Sequence, residues 1–259
     1  MTPLLRVRNI RRRFGGLTAL DGVGFDVAPG EIKGVIGPNG AGKTTLFNLL
    51  SGLLRPDIGT VALADRTLTG LSPAAIARAG IARTFQNVSL FDRMTARENV
   101  MTGLHLRSRA GLLASALRLP RQRREERDLR RRADGGLAFV GLADAGDTPV
   151  AALPFGRRRM VELARALALE PKLLLLDEPA SGLNTGESRE LAAMIRRVRD
   201  RGVTILLVEH DMSLVMDVCD SLLVLDFGTP IAEGTPAAVR ADPRVLAVYL
   251  GKEAADAEG

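Results

Sequence analysis

The chain has 259 residues, of which 46% are hydrophobic, and it carries a formal net charge of +6 with a pI near 10.3. It contains no apolar run near the roughly 20 residues needed to cross a bilayer, Arg6 and Arg8 interrupt the apolar stretch that a signal peptide would need, and the lone Cys219 excludes an intrachain disulfide. Composition therefore argues against integral membrane proteins and disulfide scaffolds, and we expect a soluble cytoplasmic protein in a reducing compartment.

Short β-strands are predicted near the start of the chain. Residues 4–29 and 60–68 contain apolar segments, and Asp21-Gly22 and Pro29-Gly30 act as turn signals between them. These segments supply strands on both sides of the motif described next.

Residues 37–44 match the phosphate-binding loop pattern G-x-x-x-x-G-K-[ST] in full. They read Gly37, Pro38, Asn39, Gly40, Ala41, Gly42, Lys43 and Thr44. The glycines let the backbone curl so that successive N–H groups point at phosphate oxygens, while the lysine reaches the β and γ phosphates and the threonine hydroxyl ligates Mg²⁺. The flanks predict a buried strand at 31–36 and a helix at 43–50 whose positive end faces the phosphates. The pattern predicts a protein that binds a nucleoside triphosphate.

The positive charge is concentrated in residues 105–135. Four acidic residues in this segment accompany ten arginines, which are Arg107, Arg109, Arg118, Arg121, Arg123, Arg124, Arg127, Arg130, Arg131 and Arg132. The segment therefore accounts for the whole net charge of +6. It lacks the interleaved aromatic rings of single-strand binders, so we expect no nucleic-acid partner. The Arg/Glu pairs at helical spacing in residues 121–132 predict an exposed helix whose charged face is solvated. The alternative is that this face contacts anionic lipid or an acidic partner surface.

An acidic pair ends the strongest apolar run of the chain. Residues 172–176 lead into Asp177, Glu178 and Pro179. Consecutive apolar residues are typical of a central parallel strand buried on both faces, and ligands bind at the carboxyl ends of such strands. We predict that Asp177 holds Mg²⁺ through water beside Thr44, and that Glu178 polarises an attacking water.

The same arrangement recurs one β-α-β unit later. A helix predicted at about 187–201 makes the crossover to an apolar strand at 204–208, which is followed by Glu209 and His210. An isolated histidine at such a position is more often structural. Together with the phosphate-binding loop and the acidic pair, His210 becomes a candidate γ-phosphate sensor that orients Glu178 and the water.

These residues resemble the ATP-binding-cassette family over about residues 4–251. The elements that carry the resemblance occur in the family's order, namely the loop at 37–44, Gln86 in the run 83–86, the signature-like run 153–157, the acidic strand at 173–179, the run 181–184, and His210. The resemblance implies that Phe14 stacks on adenine, unless it is an ordinary core residue. It also implies that Gln86 touches Mg²⁺ or water and transmits to the membrane partner.

The signature-like run departs from the family pattern Ser-Gly-Gly-Gln. The corresponding residues are Pro154, Phe155, Gly156 and Arg157, so the serine hydroxyl is absent and the proline has no N–H to replace it. A helix predicted from Arg157 to about Leu169 could still direct its dipole and the first N–H groups at a phosphate. In this family the signature completes the nucleotide site of the other subunit. A second departure is Asn184, where Asp is common.

The resemblance implies an α/β fold, the P-loop NTPase fold of ABC ATPases. We expect a nucleotide-binding core with a mostly parallel central sheet and an antiparallel β subdomain in residues 1–86 and 158–240, a helical subdomain in 87–157, and a C-terminal tail in 241–259. The predicted cofactors are ATP and Mg²⁺. Predicted nucleotide contacts are Phe14, Gly37, Pro38, Asn39, Gly40, Ala41, Gly42, Lys43, Thr44, Thr45, Pro154, Phe155, Gly156 and Arg157; predicted catalytic residues are Glu178, His210 and Gln86; predicted metal ligands are Thr44, Gln86 and Asp177.

Further runs resemble the LivG-type ATPase subunits of branched-chain amino acid importers. They include residues 83–86, 98–100, 209–212, 228–230, 233–236 and 249–251. This resemblance implies transmembrane permease subunits, a second cassette ATPase, and indirectly a periplasmic binding protein as partners. A heterodimer is favoured over a homodimer, and the place of action is the cytoplasmic face of the inner membrane. Close relatives serve urea, amides or lipopolysaccharide export, so these solutes stay open.

Two other classes fit less well. A cassette ATPase of DNA repair or translation would normally carry two cassettes or a long coiled-coil insertion, and this chain has neither. A small-molecule kinase or a GTPase would lack the elements at 153–157 and 210, and the guanine motif N-K-x-D is absent.

Overall fold

The computed structural model describes residues 2–86, 88–105 and 120–256. Its strands, in chain order, are β1 Leu5–Phe14, β2 Leu17–Val27, β3 Ile32–Ile36, β4 Ile58–Leu63, β5 Arg66–Thr67, β6 Ile81–Arg83, β7 Leu173–Asp177, β8 Thr204–Val208, β9 Ser221–Asp226 and β10 Thr229–Gly234. Its helices are α1 Lys43–Leu50, α2 Pro73–Ala79, α3 Ala96–His105, α4 Pro120–Phe139, α5 Phe155–Leu167, α6 Thr185–Asp200, α7 Met212–Val218, α8 Pro236–Ala241 and α9 Pro243–Asp256.

The chain forms two compact units. The first comprises Met1–Arg83 and Lys172–Gly259, and the second comprises Thr84–Pro171. The predicted helical subdomain, 87–157, lies inside the second unit, and that unit also contains α5. No helix in the described residues is long and apolar enough to span a membrane.

A six-stranded sheet in the first unit has the order β10-β9-β3-β8-β7-β6. The pairs between β3 and β8, β3 and β9, β7 and β8, and β6 and β7 are parallel, whereas β10 runs antiparallel to β9. Every residue of β3, β7 and β8 is buried, which is why residues 173–176 of β7 and 205–208 of β8 read as continuous apolar runs. The prediction of a mostly parallel central sheet is confirmed.

A second sheet in the same unit has the order β2-β1-β4-β5, and all its pairs are antiparallel. Its register shifts after Val7 of β1, where Asn9 has a φ of 48°. A side chain on Gly59 of β4 would overlap the backbone oxygen of Asn9, so only glycine fits opposite this irregularity.

Helix α1 joins the two sheets through one hydrophobic core. Phe47 of α1 is fully buried and belongs to a cluster with Leu20 and Val23 of β2 and with Leu175 and Leu206 of the central sheet. Each fully buried large side chain of this kind contributes about 1.5–3 kcal/mol. The core therefore fixes the helix that follows the phosphate-binding loop relative to both sheets of this unit.

The second unit is helical. Helix α3 packs against α4 and α5. The approach to α5 is close, because a side chain on Gly103 of α3 would overlap the backbone oxygen of Arg165. Helix α5 begins at Phe155, two residues before the predicted start at Arg157.

Candidate nucleotide site

The loop between β3 and α1 has a backbone that requires glycine. Gly37, Gly40 and Gly42 have φ angles of 149°, 83° and 98°. A side chain on Gly37 would overlap the backbone oxygen of Leu225, and a Cβ on Gly42 would stand 2.6 Å from the oxygen of Ala19. The loop is thus held between β9 and β2, with its turn leading directly into the N-terminus of α1.

Lys43, the first residue of α1, folds back over the loop. Its Nζ donates hydrogen bonds to the backbone oxygens of Gly37 at 2.6 Å and Pro38 at 3.0 Å. The lysine is largely buried but lines the cleft beside the loop. Its ammonium charge therefore lies at the N-terminus of α1, where a phosphate would meet both the charge and the N–H groups of the first helical turn.

The cleft beside this loop has a volume of about 360 Å³, within the range of small-molecule sites. Phe14, Leu17 and Phe227 contribute exposed apolar side chains to its lining. The remaining lining residues are Thr18, Ala19, Asn39, Gly40, Ala41, Gly42, Lys43, Thr44, Thr45 and Glu178. A ligand with an apolar ring system and a polyanionic chain would match this distribution.

Asp177, at the end of β7, forms an ion pair that the sequence did not reveal. Its Oδ2 lies 2.6 Å from Nη2 of Arg83 in β6, and both side chains are more than 90% buried. Nη1 of the same arginine donates to Asn48 Oδ1 and Ser51 Oγ, both at 2.8 Å. Arg83 therefore fixes the orientation of the Asp177 carboxylate against α1. The only sequence signal for this role is an arginine in a short, otherwise apolar strand.

Glu178 follows in a strained backbone conformation. Its φ is 45°, in the left-handed region that non-glycine residues rarely adopt. Its N–H donates to the oxygen of Val208 at 2.9 Å, and its Oε2 lies 3.6 Å from Nδ1 of His210. The structure thus brings two of the three predicted catalytic residues, Glu178 and His210, next to each other at the ends of adjacent strands, with Glu178 lining the cleft.

Glu209, between β8 and His210, is a buried residue whose role the sequence analysis missed. Its Oε1 accepts from the N–H of Ala180 at 2.8 Å, and its Oε2 accepts from the N–H groups of His210 and Asp211 at 3.0 and 3.2 Å. One carboxylate therefore joins the turn after β7 to the turn after β8. It fixes the backbone that presents Glu178 and His210.

The structure gives Asn184 a clear role. Its side chain accepts from the N–H of Glu187 at 3.0 Å, and the Glu187 carboxylate accepts from the N–H of Asn184 at 3.0 Å. This is a capping box at the start of α6, which asparagine forms as well as aspartate. The departure from the family pattern therefore leaves this helix start capped.

Gln86 and the signature-like residues belong to the second unit. Pro154 is the residue before α5 and offers no side-chain cap, and Phe155, Gly156 and Arg157 form the first turn of that helix. Arg157 donates to Asp144 at 2.6 Å, which holds the pKa of that carboxyl below its ordinary value.

A buried ion pair on α5 holds the segment that carries Gln86. Arg159 donates to the backbone oxygens of Phe85 at 2.9 Å and Gln86 at 2.5 Å, while Glu162 accepts from the N–H of Phe85 at 3.2 Å. The two side chains lie 3.5 Å apart and both are buried. Burial raises the pKa of Glu162, against the opposing effects of the Phe85 N–H and Arg159. Sequence reasoning missed this pair, because nothing local connects residues 85–86 with α5.

The predicted site residues therefore fall into three groups. Phe14, Glu178 and the loop residues 39–45 line one cleft. Gly37 and Pro38 accept hydrogen bonds from Lys43, which lines the cleft. Asp177 and His210 lie in the same unit as the cleft and are next to its lining residue Glu178. Gln86 and residues 154–157 are in the second unit. Their roles in binding and catalysis stay predictions.

The predicted basic helix is present as part of α4. Arg130 pairs with Glu126, Arg131 with Asp128 and Arg132 with Glu170. These pairs are exposed, as the solvated-face interpretation predicts. Arg107, Arg109 and Arg118 lie outside the described residues.

Thr44 and Asp177 carry oxygen atoms of the kind that bind Mg²⁺, and of these two residues Thr44 lines the cleft. The described residues contain no cluster of three or more His, Cys, Asp or Glu side chains that could hold a metal alone. Mg²⁺ is instead usually bound by one or two protein oxygens together with substrate phosphates and waters. The Thr44 hydroxyl and the Asp177 carboxylate, oriented by Arg83, are such oxygens.

The central sheet carries a phosphate-binding loop after β3, an acidic pair at the end of β7 and a histidine after β8, the strand between them. These features define an ATPase of the cassette class. The chain belongs to the ABC transporter family, whose model matches residues 20–181. A second model, described as branched-chain amino acid ATP-binding cassette transporter, matches residues 229–255. The fold class and the ATPase assignment predicted from sequence are confirmed.

Similar proteins cover nearly the whole chain. The high-affinity branched-chain amino acid transport ATP-binding protein LivG of Escherichia coli K12 is 44% identical over 251 residues, 96% of this chain and 98% of LivG. The corresponding protein BraF of Pseudomonas aeruginosa is 42% identical over the same shares. The crystal structure of the ADP conformation of MJ1267, an ATP-binding cassette of an ABC transporter, superposes with a TM-score of 0.85 at 33% identity, covering 97% of this chain and 100% of that one.

Proposed function

We propose that this chain is the ATP-hydrolysing subunit of an importer for branched-chain amino acids. It acts at the cytoplasmic face of the inner membrane with separate permease subunits, a second cassette ATPase and, indirectly, a periplasmic binding protein. Two observations carry the solute assignment. Residues 229–255 match the model of branched-chain amino acid ATP-binding cassette transporters, and the chain is 44% identical to LivG over 96% of its length. The alternatives are an importer of urea, an importer of amides and an exporter of lipopolysaccharide.

The loop geometry supports a specific mode of ATP binding. The adenine would contact the cleft at Phe14, and the phosphates would lie at the N-terminus of α1. There the N–H groups of residues 40–45 and the Lys43 ammonium offset the negative charge. The carbonyl oxygens that Lys43 now contacts keep its charge close to this position.

Hydrolysis is assigned to Glu178 and His210. Water attacks the γ-phosphorus, the bond to the β–γ bridging oxygen breaks, and ADP and phosphate form. Glu178 accepts the proton of the attacking water, and His210, 3.6 Å away, orients the carboxylate. Thr44 and Asp177 would hold Mg²⁺, which when bound neutralises charge on the β- and γ-phosphates.

The second unit presents an apolar surface for a partner. Phe85, Phe91 and Met94 have exposed side chains close together in the sequence, next to Gln86. A side chain of Asn99 accepts from the N–H of Phe91 at 2.8 Å and donates to its carbonyl oxygen at 3.2 Å, so this segment is held in place. We assign it to permease contact, because exposed apolar groups on a fixed segment are typical of interaction sites.

The experiment is reconstitution of the full complex in proteoliposomes with ATP inside. We expect ATP-dependent uptake of leucine in preference to urea or a short amide. Glu178→Gln should retain ATP binding and reduce hydrolysis and uptake by roughly 10²-fold or more, as loss of a positioned base implies. Glu190→Gln, the same change on the exposed face of α6, is the matched control and should leave both rates unchanged. Uptake of urea without leucine would replace the solute assignment, and unchanged turnover in Glu178→Gln would refute the catalytic one.

A further inference from the structure

Phe227 is an aromatic residue at the nucleotide cleft that the family pattern does not account for. It lies in the turn between β9 and β10, and 83% of its surface is exposed. It lines the cleft together with Phe14, Leu17 and the loop residues. An aromatic ring exposed to this extent gains little from the protein's own core and leaves its surface accessible to a ligand in the cleft.

The turn itself does not favour phenylalanine. Asp226 and Thr229 pair across the hairpin, which leaves Phe227 and Gly228 as a two-residue connection with φ angles of 42° and 79°. Turns with two positive φ angles prefer asparagine, aspartate or glycine at the first position, because a bulky side chain is strained there. Local structure therefore disfavours the ring at residue 227.

The turn is fixed against the phosphate-binding loop. The N–H of Gly228 donates to the oxygen of Ala41 at 3.1 Å, and its own oxygen accepts from the N–H of Asp21 at 2.9 Å. A Cβ on Gly228 would stand 2.6 Å from the oxygen of Ala19, so the backbone is in close contact with β2 as well. These contacts hold the Phe227 ring at the edge of the cleft instead of leaving it on a free hairpin.

We propose that Phe227 is a second aromatic contact for the nucleobase, so that two rings, Phe14 and Phe227, bind the purine of ATP. The proposal rests on the nucleotide site described above and adds a residue to it. Phe14 is itself 43% exposed, and the guanidinium of Arg12 lies 4.8 Å from its ring centroid. Both rings thus have exposed surface for a planar base, while the triphosphate is bound by residues 40–45.

The test compares ligands with and without a base. Dissociation constants for ATP and for inorganic triphosphate are measured on the full chain carrying Phe227→Asn, Phe227→Tyr, Leu53→Asn or Lys43→Ala. Asparagine suits the turn and removes the ring, whereas tyrosine keeps the ring. Leu53 is similarly apolar and 52% exposed but does not line the cleft, so its replacement is the matched control.

We expect Phe227→Asn to weaken ATP binding by about 5- to 150-fold, the range for loss of one stacked ring. Triphosphate binding should not change, and the thermal midpoint of the free chain should stay the same or rise as backbone strain is relieved. Phe227→Tyr and Leu53→Asn should bind ATP like the parent chain.

Other outcomes separate the inference from the proposed function. If Phe227→Asn binds ATP normally while Lys43→Ala weakens binding of both ligands, the inference is wrong and the nucleotide site stands; the exposed ring then serves a protein partner. Equal weakening of ATP and triphosphate by Phe227→Asn would mean a distorted loop and would also overturn the inference. If Lys43→Ala affects neither ligand, the nucleotide site fails and the inference with it.

Discussion

Backbone strain at single residues coincides with the cleft. Among the described residues, the non-glycine residues with left-handed dihedrals are Asn9, Ala64, Glu170, Glu178 and Phe227. The last two line the nucleotide cleft. Such conformations cost of order 1–3 kcal/mol each and persist where surrounding structure holds them. Here the N–H of Glu178 is bonded to Val208, and the turn at Phe227 is bonded to Ala41 and Asp21.

Cys219, just after α7, makes the free energy of unfolding of the chain fall at alkaline pH. Burial raises the pKa of its thiol to about 12 from an ordinary value of 9.0, and the charge of Asp220 acts in the same direction. Because the folded chain retains this proton longer than the unfolded chain, its contribution is fully present below pH 9. It is lost as the pH rises from 9 towards 12, at up to about 1.4 kcal/mol per pH unit.

This prediction is checked with denaturant unfolding at pH 8 to 11. The free energy of unfolding of the parent chain should fall more steeply above pH 9 than that of Cys219→Ala, which lacks the titrating group. Burial also raises the pKa of Tyr249, but that residue is present in both chains and cancels in the comparison. Parallel pH profiles for the two chains would contradict the assigned burial effect.

At the scale of elements, α5 is fixed to the segment Phe85–Gln86 by Arg159 and Glu162. Removing one member of a buried ion pair leaves an unpaired charge, which costs about 3–5 kcal/mol. We therefore expect Arg159→Ala to lower the unfolding free energy by that amount and to speed amide hydrogen exchange at residues 85–86. Because Gln86 is then no longer held by Arg159, ATP turnover in the assembled complex should also fall.

The control for this prediction lies in the same unit. Arg131→Ala removes an exposed pair with Asp128 on α4, and exposed pairs contribute less than about 1 kcal/mol. Equal destabilisation by both substitutions would show that the buried pair has no special role. The exposed partners of Arg130, Arg131 and Arg132 also favour a solvated face for α4 over a lipid contact.

At the scale of the whole molecule, the family relationship leads to an assembly prediction. In this family a signature completes the nucleotide site of another subunit, so we expect two cassettes to close head-to-tail over two ATP molecules. The replacement of Ser-Gly-Gly-Gln by residues 154–157 favours a partner with an ordinary signature, which would complete the site built by Lys43 and Glu178.

Sedimentation of the Glu178→Gln chain tests this assembly. With Mg²⁺-ATP and a second cassette subunit, the mass should become that of a heterodimer, and it should return to the monomer masses when ATP is removed. Lys43→Ala should prevent association, because it weakens nucleotide binding. A chain that hydrolyses ATP at full rate as a strict monomer at every concentration would refute the model.

The sequence by itself determined the parts of the site whose residues are neighbours in the chain. The loop at 37–44, the helix 43–50 and the strand 204–208 all follow from local spacing, apolar runs and turn residues. Local sequence dictates them because glycine conformations and strand burial act over a few residues. The ATPase class came from the resemblance to the cassette family, which is carried by the loop 37–44, Gln86, the runs 153–157, 173–179 and 181–184, and His210.

Only the tertiary structure decided which side chains from distant segments meet. Arg83 and Asp177 are 94 residues apart, and Arg159 and Gln86 are 73 apart. Their contacts depend on the strand order of the central sheet and on helix packing in the second unit, which no local period encodes. For the same reason, the sequence did not predict the hydrogen bonds of the Glu209 carboxylate or the position of the Phe227 ring at the cleft. Burial and cleft geometry are properties of the folded chain, because they arise when segments far apart in sequence pack together.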